Sequence, residues 1–158
     1  MPTLSSYKET MFLNVDLDIL SRHPLEALVA AFGRKVSILH VGKEGKHYGA
    51  HVELARSWDR DADFLIRALA RLVGKLPESA RLLWNQAHTR DFNVGIHSAL
   101  KPHSHELRIR AETLKLAASL GANIVVTTYA PVMERRRARK TASKIQRSKA
   151  KGKQRLGP

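Results

Sequence analysis

Residues 11–19 read MFLNVDLDI, with Met11, Leu13, Val15, Leu17 and Ile19 alternating against Asn14, Asp16 and Asp18. Successive side chains of a strand point to opposite faces, so this period of two predicts a strand with one apolar and one polar face. The rest of the fold reads outward from it. Ser21, Arg22, His23 and Pro24 open a helix, with Pro24 suited to the first turn. Leu25, Leu28, Val29 and Phe32 follow at helical spacing, and Gly33 is a natural stop. Lys35 to Val41 and Lys46 to Ala55 read as two strands joined by a hairpin through Gly42 and Gly45.

Asp59 or Asp61 caps a second helix with Phe64, Leu65, Leu69, Leu72 and Leu76 on its apolar face. Pro77 interrupts it, and helical spacing resumes from Glu78 to Thr89 through Ala80, Leu83, Trp84 and Ala87. Phe92, Val94 and Ile96 alternate as another strand, with Glu106 to Arg110 as its expected hairpin partner across Lys101 and Pro102. A last helix over Ala111 to Leu120 stops at Gly121, and the β-branched run Asn123 to Tyr129 forms the last strand. The expected order is β-α-β-β-α-α-β-β-α-β. It predicts an α+β fold: a mostly antiparallel sheet with helices packed on one face. The two halves look like mirrored sets of three strands and one helix.

The chain has 158 residues, enough for one domain with an ordinary core, and 43% of them are hydrophobic. It has no cysteine, which excludes disulfides, thiol nucleophiles and thiolate metal sites. Lys8, Glu9, Asp16 and Asp18 interrupt the first twenty residues, so a secretory signal is not expected, and no apolar run is long enough to span a membrane. These features point to a cytoplasmic protein.

The net charge of +14 is unevenly spread. Residues 134–158 hold eleven Lys and Arg against Glu134 alone, giving +10. The expected division is an α+β domain over 1–133 and a basic tail, flexible or transiently helical, over 134–158. Arg135, Arg136, Arg137, Arg139, Lys140, Lys144, Arg147 and Lys149 are candidates for nucleic-acid contact, because Lys and Arg neutralise phosphates and release counterions. The tail has no aromatic residue on which bases could stack, so contact would be nonspecific. The plainer reading is a solvated terminal segment that aids solubility.

Strand alternation also collects a candidate ligand face. Asp16 and Asp18 share their side of the first strand with Asn14, and His51 and Glu53 share theirs with His47. Asn93 and His97 lie on the fourth strand, Thr127 and Tyr129 on the last. If these faces coincide, one side of the sheet presents Asp16, Asp18, His51, Glu53, His97 and Tyr129. Such a set suits a protein partner, acid–base chemistry or a divalent metal, and equally a solvated sheet face. No spacing is diagnostic: no catalytic residue, metal ligand or cofactor is assigned, and Gly42 to Lys46 lacks the ending of a phosphate loop.

The VDLDI run at 15–19, Leu82 to Trp84, and the helix–Gly–strand ending from Leu114 to Tyr129 resemble the bacterial family grouped as domain of unknown function 4279. The likeness spans about residues 11–130 and excludes the tail. It implies a bacterial or phage origin and an α+β body, and brings no activity or functional residues. The leading expectation is a non-enzymatic accessory protein whose tail contacts nucleic acid. The alternatives are an immunity or adaptor protein that binds a protein partner through the sheet face, and a metal-dependent or acid–base enzyme using that face.

Overall fold

A computed structural model describes residues 9–57 and 59–131. The eight candidate nucleic-acid residues of the tail lie outside them. Five strands, β1 (Met11–Ser21), β2 (Val36–Glu44), β3 (His47–Leu54), β4 (Thr89–His97) and β5 (Asn123–Tyr129), form one sheet in the order β2-β3-β1-β4-β5. The helices are α1 (Glu26–Phe32), α2 (Ala62–Gly74), α3 (Glu78–Gln86) and α4 (Ala111–Ser119). The fold is α+β with a mixed sheet: β1 pairs antiparallel with β3 and β4, β2 antiparallel with β3, and β4 parallel with β5.

β1 occupies the middle of the sheet, and Val15, Leu17 and Ile19 are buried along one of its faces. Ala50, Val52, Phe92 and Val94 from the flanking strands join them in one core with Leu28 and Phe32 of α1, Leu65, Ile66 and Leu69 of α2, and Trp84 of α3. The helices therefore cover this face. Trp84 is fully buried, and its indole N–H donates to the Leu120 carbonyl at 3.0 Å, satisfying the ring's polar edge. Asp61 caps α2, its carboxylate accepting the Phe64 amide at 2.7 Å. The β2–β3 hairpin turns through Gly45 and Lys46, and Gly45 takes the left-handed φ of 59° that such a turn needs.

Four expectations need correction. The alternation of β1 changes phase at a bulge between Phe12 and Asn14, which leaves Leu13 as an extra residue. Phe12 rather than Met11 or Leu13 consequently packs on the core. On α2, Phe64 turns outward beneath the Arg60 guanidinium, 4.8 Å from its ring centroid, and Ile66, Ala70 and Val73 fill the buried stripe. α3 stops at Gln86, since the following backbone is extended and enters β4.

The fourth correction is topological. Glu106 to Arg110 form no strand. β4 already has β1 on one edge and β5 on the other, so no edge is free for a hairpin partner. Leu107 and Ile109 alternate because they pack against the core on the approach to α4. The second half is thus β4-α4-β5, with α4 in the crossover that a parallel pair requires, and the two halves are not mirror images.

Asp63, in the first turn of α2, is the polar group that ties this crossover down. It is buried, accepts the Arg110 amide at 2.9 Å, and has the Arg67 and Arg110 guanidinium groups at 3.6 and 3.7 Å. Burial alone would raise its pKa, but the Thr113 side chain, the Arg110 amide and the two arginines outweigh it and hold the carboxyl below the usual range. A depressed carboxyl stabilises the fold above its unfolded pKa and loses that contribution as pH falls through the folded value. Asp63→Ala should cost about 1–3 kcal/mol at neutral pH, because it removes a buried carboxylate that accepts the Arg110 amide and faces two guanidinium groups. In urea melts at stepped pH, the deficit should shrink on acidification, beginning below the unfolded carboxylate value and vanishing as pH falls through the lowered folded one.

Candidate polar face of the sheet

The side of the sheet opposite the helices carries Asn14, Asp16 and Asp18 of β1. Antiparallel register sets Asp16 opposite Glu53 on β3 and Asn93 on β4, and Asp18 opposite His51 on β3 and Asp91 on β4. The predicted neighbours Asp16, Asp18, His51 and Glu53 are thus brought together at the middle of the face.

Asp18 and His51 belong to a relay of five side chains, one from each strand. From β2, a Glu44 carboxylate oxygen lies 2.8 Å from His51 Nε2 on β3. His51 Nδ1 lies 2.7 Å from Asp18 Oδ1 on β1. The other Asp18 oxygen accepts from Asn93 Nδ2 of β4 at 3.0 Å, and the Asn93 carbonyl accepts from the Thr127 hydroxyl of β5 at 2.7 Å. Beside the relay, the Asn14 amide donates to Glu53, and His40 Nε2 stands 3.3 Å from the same Glu44 oxygen.

Protonation follows from this geometry. Both His51 nitrogens face carboxylate oxygens, and only the imidazolium can donate from both. Burial would lower the His51 pKa, but Asp18 and Glu44 outweigh it, so the ring is held in its charged form above the ordinary histidine value. Asp16 has the opposite problem. Burial first, then the charges of Asp18 and Glu53, push its carboxyl up to about 6, against a smaller pull from His51. The face therefore carries Asp18, Glu44 and Glu53 around one imidazolium, with Asp16 able to hold a proton just below neutrality.

The other two predicted members stand apart from this cluster. His97 follows Asn93 by four residues, roughly 13 Å along β4, and is 1% exposed, so it is no part of an open face. Tyr129 is exposed and lies over Gly95, with its ring 3.6 Å from where a Cβ on that glycine would stand. Among the described residues, no group of three or more His, Asp or Glu has the arrangement to hold a metal ion.

Glu44 was missed because hairpin position and spacing say nothing of where its side chain goes. Its carboxylate lies across β3 in the space where a Cβ on Gly49 would stand. The missing side chain at Gly49 is what lets Glu44 reach His51. A glycine inside a strand, at a non-positive φ, is the trace of such a close approach.

No known protein family matches the chain, and no curated protein or solved structure is detectably similar to it.

Two measurements probe the face. Asp16 has a folded pKa above its unfolded one, so its contribution favours folding at low pH and is lost as pH rises toward and through 6. Asp16→Asn should raise the melting temperature at pH 8 and give little or no gain at pH 4.5. Gly49→Ala should displace Glu44 and lower the His51 pKa in an NMR titration; an unchanged midpoint would separate Gly49 from the relay.

Proposed function

We propose that this chain is a cytoplasmic, non-enzymatic binding protein: its polar sheet face recognises a basic surface on a partner protein, and its basic C-terminal segment contacts nucleic acid. The observation that carries the reading is the relay from Glu44 to Thr127. Its groups are committed to one another: both nitrogens of His51, both oxygens of Asp18 and both ends of the Asn93 amide. A network satisfied in this way favours a stiff, preorganised surface over a site that exchanges protons with a substrate. Its carboxylates outnumber its imidazolium, which suits a cationic partner. The absence among the described residues of a helix long and apolar enough to cross a membrane is compatible with this reading.

The charge of the tail supports the second half. Arg135, Arg136, Arg137, Arg139, Lys140, Lys144, Arg147 and Lys149 can neutralise phosphates without reading bases. If all eight do so on duplex DNA, the logarithm of affinity should fall with the logarithm of salt at a slope of about −7.

Asp16 favours a second reading, acid–base chemistry, because a carboxyl titrating near 6 can both take and give a proton close to neutrality.

One paired experiment tests the proposal. Filter binding of RNA and DNA should be lost when the eight tail residues are replaced by glutamine, with the thermal transition unchanged. A co-purifying protein partner should survive that replacement and be lost from an Asp18→Lys, Glu53→Lys variant that still folds. Undiminished nucleic-acid binding by the glutamine variant would overturn the tail's role, and partner retention by the lysine variant would overturn the face's.

A further inference from the structure

A cavity of about 520 Å³ opens at the end of the sheet where β1 finishes and β3 and β4 begin, lined by Arg22, His23, His47, Gln86 and His88. All five lining residues are exposed, so the cavity is an open surface cleft. All five side chains carry an N–H that can donate, and no carboxylate lines the cavity. Among the described residues, neither Arg22 nor any of the three histidines forms an ion pair.

The backbone holds this set in place. The His88 amide donates to the Leu20 carbonyl at 3.0 Å, fixing the entry to β4 against the end of β1. The His23 amide donates to the hydroxyl of buried Ser21 at 3.0 Å. His47 sits opposite Glu44 in the hairpin ladder, and its ring meets that of His88 at a centroid distance of 4.7 Å. The imidazoles of His47 on β3 and of His88 just before β4 thus meet beside a guanidinium, with no carboxylate in the cavity lining.

We propose that this cavity binds the phosphoryl group of a small phosphate monoester. The Arg22 guanidinium supplies a fixed positive charge with no carboxylate in the lining, and the surrounding N–H groups add donors for an anion. A guanidinium fork takes two oxygens of a phosphate at once, and histidine and amide N–H groups can meet the third. A monoester offers three free oxygens and close to two charges, where a carboxylate or an internal phosphodiester offers two oxygens and one charge. None of its lining residues belongs to the relay or to residues 134–158, and the site stands or falls independently of the proposed function.

The test is a titration of the full-length protein with glycerol 3-phosphate, with inorganic phosphate and with a short oligonucleotide, followed by the side-chain NMR signals of His23, His47 and His88. Glycerol 3-phosphate should move these signals saturably. Arg22→Gln should weaken binding at least tenfold, and His88→Gln should weaken it also. Replacing the eight tail residues by glutamine should leave it unchanged. The assignment is overturned by signals that do not saturate, by an affinity that both Arg22→Gln and His88→Gln leave intact, or by saturation with the oligonucleotide alone.

Discussion

Both edges of β1 are consumed, one by β3 and the other by β4, and both of its faces are in use. One side carries Val15, Leu17 and Ile19 into the core; the other carries Asp16 and Asp18 into the centre of the polar face. A central strand with two carboxylates cannot leave them unpaired at partial burial without cost, and the neighbouring strands supply the solution. His51 and Asn93 reach Asp18 from opposite sides, while burial first, and then the charges of Asp18 and Glu53, raise the pKa of Asp16. The composition of the face follows from what β1 places at its middle.

The legible part of this architecture is the part governed by period. Alternation at 15–19 gives the correct inward set because one face is dry and the other wet, and the register then makes Asp16, Asp18, His51 and Glu53 neighbours. Leu107 and Ile109 alternate as well, but on an irregular segment, because packing two residues against a core edge needs the same spacing without a sheet partner. Local pattern cannot say that both edges of β4 are already taken; that is a fact about the whole sheet. The bulge at Leu13 is similarly silent, since inserting one residue costs no local preference.

The candidate site was legible by strand and illegible by reach. Parity places His97 on the same side as Asn93, yet it does not say that His97 is buried. Glu44 reads as a hairpin residue, and its link to His51 depends on the absence of a side chain at Gly49, which only the packed structure makes visible. The cavity beside Arg22 draws on Arg22 and His23, on His47, and on Gln86 and His88, three segments with no shared motif. Only the pairing of β1 with β3 and β4 brings them together.

The parallel placement of β5 carries a kinetic consequence. The four strands from β1 to β4 pair antiparallel, and all are present once residue 97 has been synthesised. β5 begins at Asn123, so β4 waits for the intervening segment and α4 before its outer edge is occupied. As the last strand to be made, β5 arrives after the other four can pair, and Phe92, Val94 and Ile96 border an open strand edge until it docks. During that interval the nascent chain has an edge that can accept a strand from another molecule, which makes the docking of α4 and β5 the step that protects it from misassembly.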